Sequence, residues 1–413
     1  MDNSSQLIWN PFRRGFRDDP HRQFRLFREL NPVHRGINGY WFLFKYDDVK
    51  MLLTNPVFKT VKLSEHLLSK NRFLTPPASF DDLSGMVGKW LFLLDPPEHG
   101  ELRGMVVKLW NQYQIQQFIG ETVDEAVARL AANPAPEAVD DFAGYIPTRV
   151  MSKILGLPFE DYERLRRWSH YFANTFEPFE SLPKLLRYNE NAREVCEYME
   201  RLMERKKAAP DDGFISRFLT ENARLARPVP HDDLVSLFLM LFFAGMETSI
   251  YIISQSVLAL IENPSETERL RADLSLVPRA VEELVRYVSP LQYVTRIPTA
   301  DVEIGGHRIR AGELVLGSIA SANRDEAVFS DPDQLDFARA GKSHIGFGHG
   351  IHHCIGARLA RDEMLAVLPA LLETFTKIEF DAARPRVWDD VIIFRRLKSL
   401  PVVVHRSTQA AVQ

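Results

Sequence analysis

The chain has 413 residues, of which 45% are hydrophobic and 26% charged, and its formal net charge is −4. This composition provides a large apolar core, and the near-neutral charge argues against a nucleic acid as partner. Two cysteines are too few for a disulfide framework, and no basic segment followed by an apolar run opens the chain. We therefore expect a cytoplasmic protein.

Short strands and helices alternate near the start of the chain. Residues 41–44 form an apolar run typical of a buried strand, and Asp47 and Asp48 after it predict a helix N-terminus. With a second group of strands predicted around residues 294–316, we expect a β-rich portion formed by about residues 35–65 and 290–320.

A proline-led segment at residues 95–103 predicts the start of a helix. His99 and Arg103 lie four positions apart, so they project from the same face of that helix. Two hydrogen-bond donors on one face can bind a carboxylate or a phosphate, although a solvated pair of side chains gives the same pattern.

The middle of the chain is helical in pattern, within a helical body at about residues 95–290 and 355–376. Its longest apolar window, residues 235–246, is shorter than the ~20 residues of a membrane span, so we predict a buried helix and no membrane span. Glu247 and Thr248 follow Gly245 at the end of this window. A buried carboxylate is costly, but beside a hydroxyl it can relay protons in a dry pocket. A helix that reaches the surface at Glu247 is the alternative.

Glu283 and Arg286 are three positions apart and are predicted to pair on a helix. Solvated pairs of this kind contribute little, so the motif has meaning only together with its neighbours. Towards the C-terminal end, we predict a pair of strands near residues 391–394 and 402–404.

The most informative stretch is residues 347–356, a glycine-rich loop that contains Cys354 and precedes an apolar helix at about residues 355–375. A thiolate at a helix N-terminus is stabilised by backbone N–H groups and by the helix dipole. Cys354 is therefore a candidate anionic ligand of a metal cofactor. Alternatives are a buried structural cysteine, a nucleophile, and a zinc site with His349, His352 and His353.

In this order and spacing, the four motifs resemble the cytochrome P-450 superfamily of haem-thiolate monooxygenases, over essentially the whole chain. The loop has that family's ligand signature of Phe, two residues, Gly, three residues, Cys, one residue and Gly. Glu283 lies 71 residues before Cys354 (354 − 283) and Thr248 lies 106 before it (354 − 248), which are typical separations. The resemblance implies a mainly α fold with small β-sheets (α+β) in one domain, residues 1–413. Haem b is expected between the long central helix and the cysteine-loop helix.

The resemblance also implies roles for individual residues. Cys354 is the expected axial iron ligand, and Glu247 and Thr248 are the expected proton donors to dioxygen. The expected contacts to the haem propionates are His99, Arg103, Arg296 and His352. The full set of expected haem-binding residues is His99, Arg103, Ala244, Arg296, Phe347, His352, Cys354 and Gly356. A structural network is expected from Glu283, Arg286 and Arg339.

The substrate-facing segments of the family fall on aromatic-rich stretches of this chain, which indicates an apolar small-molecule substrate. The expected pocket residues are Trp90, Phe92, Phe176, Phe242, Phe243, Gln292, Tyr293, Val294, Ile393 and Phe394. Gln292 and Tyr293 are the expected polar contacts among them, although aromatic residues at such spacing also occur in ordinary cores.

The expected reaction is hydroxylation or epoxidation of such a substrate in natural-product or fatty-acid metabolism. No flavin or iron–sulfur motif is present, so electrons are expected from NAD(P)H through a reductase and a ferredoxin or flavodoxin. The enzyme is expected to be a monomer. Two alternatives stay open: a peroxide-driven or rearranging haem-thiolate enzyme, and a haem-binding protein without turnover.

Overall fold

The computed structural model describes residues 7–13, 16, 19–178, 180–339 and 343–406. The chain forms two compact units, which we call unit 1 (residues 1–59, 123–143 and 250–413) and unit 2 (residues 60–122 and 144–249). The single domain over residues 1–413 stays a prediction.

The described part of the chain is mainly helical with small β-sheets, which confirms the predicted fold class. In chain order the α-helices are α1 (Pro20–Leu30), α2 (Tyr46–Thr54), α3 (Leu63–Ser69), α4 (Asp81–Val87), α5 (Glu98–Trp110), α6 (Gln116–Ala132), α7 (Tyr145–Leu155), α8 (Tyr162–Ala173), α9 (Leu182–Ala208), α10 (Phe214–Asn222), α11 (His231–Glu262), α12 (Pro264–Ala272), α13 (Val277–Val288), α14 (Ile319–Ala322) and α15 (Ala357–Thr374). The strands are β1 (Val33–Arg35), β2 (Trp41–Leu43), β3 (Phe58–Lys59), β4 (Tyr293–Pro298), β5 (Val302–Ile304), β6 (His307–Ile309), β7 (Val315–Ser318), β8 (Phe375–Phe380), β9 (Val387–Trp388), β10 (Leu397–Ser399) and β11 (Val402–Arg406).

Unit 1 contains a five-stranded sheet in the order β1-β2-β7-β4-β3. Strands β2 and β7 are parallel, whereas the other neighbours are antiparallel. An apolar cluster that includes Leu43, Val49, Leu52 and Ile319 packs between this sheet and the neighbouring helices. The strands of this sheet come from both predicted β-rich segments, near residues 35–65 and 290–320.

Of the two strands predicted near residues 391–394 and 402–404, the second is confirmed within β11, whereas the first strand and its pairing with the second are wrong. Strand β11 pairs with β8, with Val402 opposite Phe380, and residues 391–394 lie in the loop that connects β9 to β10. The backbone N–H of Asp389 donates to the Arg396 carbonyl, and their side chains form an ion pair, which closes the loop. This apolar run is therefore buried as a loop, although its composition favours a strand.

Helix α15 begins two residues later than predicted, at Ala357, and ends at Thr374, because Phe375 opens strand β8. It packs against α13, whose buried face includes Val281, Leu284 and Val285. This packing holds the helix that follows the cysteine loop against the helix that carries Glu283 and Arg286.

Helix α11 has 32 residues and extends well beyond the apolar window that the sequence predicts. Among the described residues, it is the one helix long and apolar enough to cross a membrane, and 83% of its most apolar 18-residue window is buried inside the protein. The helix continues through Glu247, whose carboxylate has a charged partner within unit 2.

Candidate active site

The cysteine loop of unit 1 is folded by its glycines and by backbone hydrogen bonds. Gly348 and Gly350 both have φ of +71°, in the left-handed region that glycine adopts without strain. The Cys354 N–H donates to the Phe347 carbonyl at 2.9 Å, so the loop closes on the predicted signature residues. Cys354 is exposed, and Gly356 is the N-cap of α15. The thiol thus lies beside a helix N-terminus, where a thiolate is stabilised.

A buried ionic network in unit 1 brings together Glu283, Arg286 and Arg339, the three residues expected to form it. The Arg286 guanidinium donates two hydrogen bonds of 2.7 Å to the two Glu283 oxygens, and the Arg339 Nε donates to Glu283 at 3.0 Å. Arg286 also donates to the carbonyls of Asn323 and Pro332, at 2.9 and 2.8 Å. A buried, forked ion pair of this kind fixes backbone segments that are distant in sequence.

Asn323 connects this network to the cysteine loop, a role that the sequence does not reveal. Its side-chain oxygen accepts the Ile345 N–H at 2.8 Å, and the Ile345 carbonyl accepts the Gly348 N–H at 2.9 Å. A continuous set of hydrogen bonds therefore runs from Arg286 to the turn that precedes Cys354.

A second ion pair supports the signature phenylalanine. The Arg361 guanidinium lies 4.4 Å from the centre of the Phe347 ring and donates to Glu282 at 2.5 and 3.0 Å. His344 lies 3.1 Å from the same carboxylate. Partial burial of Glu282 opposes its ionisation, but the hydrogen bonds from His344 and Arg361 prevail and lower its pKa to about 2. Sequence reasoning missed this pair because its members are 79 positions apart.

In unit 2, the acid of α11 has a basic partner. Glu247 is 5% exposed, and its Oε1 lies 3.8 Å from the Arg166 Nη1 on α8. Thr248 is half-buried and its hydroxyl donates to the Ala244 carbonyl at 2.7 Å. Ala244 is exposed although α11 is otherwise mainly buried here. Ala244 and Thr248 lie one turn apart and form an open strip on this helix.

Gly245 provides room for a neighbouring side chain rather than for a ligand. A Cβ atom at this position would lie 2.6 Å from the Met151 sulfur on α7. Helices α7 and α11 therefore approach each other closely at Gly245, and a larger residue would force Met151 to move.

The predicted propionate partners lie on both units. In unit 2, His99 on α5 is buried, and its burial and the charge of Arg103 lower its pKa, while Asp95 acts in the opposite direction. The charge of the neighbouring Arg103 suits a carboxylate. In unit 1, Arg296 on β4 is buried and His352 in the cysteine loop is half-buried.

The predicted aromatic pocket residues of unit 2 form one contiguous cluster. The Trp90 ring lies 5.7, 5.3 and 6.1 Å from those of Phe92, Phe176 and Phe243. Phe242 lies 5.4 Å from Phe243. Residues from three segments that are far apart in sequence thus meet in a single apolar wall.

In unit 1, the two expected polar contacts already have partners within the protein. The Tyr293 hydroxyl accepts the indole N–H of Trp9 at 3.1 Å, and burial raises the pKa of Tyr293. The Gln292 amide donates to the Ser289 carbonyl at 2.7 Å. These contacts favour a structural role for both side chains.

The other predicted pocket residues of unit 1 are apolar. Val294 packs against the cluster beneath the sheet, Ile393 is buried, and the Phe394 ring lies 5.7 Å from that of Tyr251.

The zinc alternative has no support. In the described ranges, no group of three or more histidine, cysteine, aspartate or glutamate side chains is arranged to hold a metal ion. The histidines beside Cys354 are neighbours in sequence but do not converge on one point.

Comparison with known proteins decides the family. The family model "Cytochrome P450" matches residues 60–386. The chain belongs to the cytochrome P-450 family. It is 33% identical to mycinamicin IV hydroxylase/epoxidase of Micromonospora griseorubida, covering 91% of this chain and 93% of that protein. It is 32% identical to vitamin D3 dihydroxylase of Streptomyces griseolus, covering 83% of each chain.

The solved structures agree with this assignment. The crystal structure of CalO2 aligns with a TM-score of 0.87 at 27% identity, over 97% of this chain and 99% of that one. The protein is therefore a cytochrome P-450 monooxygenase with this family's fold, its thiolate-ligated haem, and its need for dioxygen and a redox partner. Its relatives include hydroxylases and epoxidases of natural-product pathways, which supports a role in secondary metabolism.

The residues present suit a haem. An exposed thiol at a helix N-terminus matches the ligand that the iron requires, and the open strip at Ala244 and Thr248 suits a flat macrocycle. The Arg103 guanidinium and the His99 imidazole, one turn apart on α5, are suitable donors to the carboxylates of the cofactor.

Proposed function

We propose that this cytochrome P-450 hydroxylates or epoxidises a large apolar molecule, with Cys354 as the axial ligand of its haem. The observation that carries the ligand assignment is the contrast between the two cysteines. Cys354 is exposed beside the N-terminus of α15. Cys196 lies within α9, and its burial, assisted by the charge of Glu200, raises its pKa to about 12, which opposes a thiolate at neutral pH.

The haem, when bound, supplies the reductive activation of dioxygen. The chain's own part begins with the placement of Cys354. The bonds from Arg286 through Asn323 to Ile345 hold the cysteine loop, and Arg361 holds the Phe347 ring against it. These residues act on the orientation of the sulfur and do not exchange protons with the substrate.

Glu247 and Thr248 hold and move protons. The Thr248 hydroxyl donates to the Ala244 carbonyl, so its oxygen is oriented and can accept and pass on a further proton. Glu247 lies in an apolar helix, where its charge is compensated by Arg166 at 3.8 Å. At this distance the Glu247 carboxylate can exchange Arg166 for a water or a hydroxyl, which makes it a proton relay.

His99 and Arg103 on α5, together with Arg296 and His352, are proposed to bind the haem propionates, with Phe347, Ala244 and Gly356 lining the macrocycle. Arginine and histidine side chains can donate charge-assisted hydrogen bonds to carboxylates. This set would orient the haem while the thiolate fixes its iron.

The substrate class is inferred from the aromatic cluster around Trp90. Phe92 and Phe176 are half-buried and offer apolar ring surface, and the buried rings of Trp90 and Phe243 complete the cluster. Relatives named for their action on mycinamicin IV and vitamin D3 support a natural product or another large apolar compound as the substrate.

The remaining partners follow from the reaction. We infer a ferredoxin or flavodoxin with its reductase as the electron donor, NAD(P)H as the electron source, and a monomeric enzyme in the cytoplasm. Such donors are acidic proteins, and their association with a P-450 is steered by complementary charge.

Labelled dioxygen tests the proposed reaction. The holoenzyme is supplied with ferredoxin, ferredoxin reductase, NADPH and ¹⁸O₂, and a panel of apolar natural products is analysed by mass spectrometry. A product that carries one labelled oxygen supports the monooxygenase reaction on an apolar substrate. Product formation with hydrogen peroxide alone would favour the peroxide-driven alternative, and no product with any electron donor would favour a non-catalytic haem protein.

A further inference from the structure

Trp90 contains a buried hydrogen-bond donor without an acceptor. Its side chain is 2% exposed, and its indole Nε1 has neither a hydrogen-bond partner among the described residues nor contact with solvent. Buried tryptophan N–H groups normally have a partner, so an orphaned one calls for an explanation. Trp168, also buried in unit 2, shows the usual arrangement, because its Nε1 donates to Glu194 at 3.3 Å.

The backbone on both sides of Trp90 is fixed to α11. The Lys89 N–H donates to the Ser236 hydroxyl at 3.0 Å, and the Leu91 N–H lies 3.0 Å from the Met240 sulfur. The backbone that carries the indole is therefore held on both sides.

The rings around Trp90 differ in how firmly they are held. Phe243 is buried on the long helix α11, whereas Phe92 and Phe176 are half-buried and lie on short 3₁₀ turns, Leu91–Leu93 and Asn174–Phe176. Such turns have poorer hydrogen-bond geometry than α-helices and rearrange more readily. A ligand can thus reach the indole when Phe92 or Phe176 rotates away.

A second buried polar group without a partner immediately precedes Phe176 in the sequence. Thr175 is 3% exposed, and its hydroxyl has no hydrogen-bond partner in the described part of the chain. It precedes Phe176, whose ring centre is 5.3 Å from that of Trp90. The segment that carries the Phe176 ring therefore contains a second buried polar side chain without a hydrogen-bond partner among the described residues.

We propose that Trp90 donates a hydrogen bond to a carbonyl oxygen of the substrate, which enters when Phe92 or Phe176 rotates away. The inference rests on the proposed function and narrows its substrate class to apolar molecules that carry a carbonyl group. Trp90 is then a specificity-determining residue, because a site with an unsatisfied buried donor discriminates against analogues that lack the acceptor.

A matched pair of ligands tests this inference. Cyclododecanone and cyclododecane have nearly the same size and differ in one carbonyl oxygen. Their affinities for the holoenzyme are measured by calorimetry with the wild type and with Trp90→Phe, which keeps an aromatic ring but has no N–H. We expect the preference for the ketone over the hydrocarbon to fall about tenfold in the variant, as for the loss of one hydrogen bond. Trp168→Phe is the control, because the donor that it removes has an acceptor in the protein, and we expect its preference to match the wild type.

Each outcome has a separate meaning. An unchanged preference in Trp90→Phe, with both ligands still bound, would overturn the role of Trp90 and leave the apolar substrate class intact. If neither ligand binds the wild type, the proposed apolar substrate fails and this inference fails with it. Infrared spectroscopy of ¹³C-labelled ketone bound to the wild type does not depend on any variant. A carbonyl stretch below that in hexane supports the hydrogen bond, and an unshifted stretch overturns it.

Discussion

Replacement of Arg286 by lysine tests whether the buried network stabilises the fold around Cys354. The guanidinium makes five hydrogen bonds, two to Glu283 and one each to the carbonyls of Asn323, Pro332 and Gln334, and it is buried. Lysine keeps the charge but has only three donors, so at least two of these bonds are lost. At ~1.5–3 kcal/mol for each hydrogen bond to a charged group, we expect the free energy of unfolding to fall by about 3–6 kcal/mol.

The measurement is urea unfolding of the holoenzyme followed by circular dichroism, with haem absorbance recorded in parallel. Arg308→Lys is the matched control, because Arg308 also donates two hydrogen bonds to one carboxylate, that of Asp301, but its side chain is 77% exposed. Exposed pairs contribute less than ~1 kcal/mol, so the control is expected to stay close to the wild type. A loss below about 1 kcal/mol in Arg286→Lys, or an equal loss in the control, would refute the reasoning.

Three further predictions concern the helix, the proton relay and the loop. Gly245→Ala would place a Cβ 2.6 Å from the Met151 sulfur and is expected to lower the free energy of unfolding by ~1–2 kcal/mol. The control, Gly104→Ala, has open space around the new Cβ and is expected to raise the free energy of unfolding by ~0.5–1 kcal/mol. Thermal unfolding measures both variants, and equal shifts would contradict the close approach of the helices at Gly245. Thr248→Ala is expected to retain haem but consume NADPH without an equivalent amount of product, and fully coupled turnover would disprove the relay. The pKa of Glu282 is lowered to about 2 from 4.5. The ionised side chain therefore stabilises the folded protein above pH 4.5, and this stabilisation is lost as the pH falls towards 2. Because this side chain is half-exposed, we expect the free energy of unfolding to fall by only ~1 kcal/mol over this pH range. In Glu282→Gln, acid unfolding is expected to lack this pH-dependent decrease.

Much of the site could be predicted from the sequence because its motifs are local. The loop that contains Cys354, the Glu283–Arg286 pair and the Glu247–Thr248 pair each lie within ten residues, so their spacing is visible in the chain. Their geometry then follows from helix periodicity and from glycine turns.

The partners that lie far away in sequence could not be predicted. Arg166 beside Glu247, Asn323 beside Ile345 and Arg361 beside Phe347 lie on elements whose packing no periodic pattern encodes. The strand predicted at residues 391–394 was wrong for a related reason. The tertiary ion pair between Asp389 and Arg396 closes this segment into a loop and overrides its local preference for a strand.

The most direct test of the central claim is the absorption spectrum of the reduced, carbon monoxide-bound protein in two cysteine variants. Thiolate-ligated haem shows a strongly red-shifted Soret band under these conditions. We expect Cys196→Ala to keep this band and Cys354→Ala to lose it while the rest of the chain remains folded. A red-shifted band in Cys354→Ala, or its loss in Cys196→Ala alone, would contradict the assignment of Cys354 as the ligand.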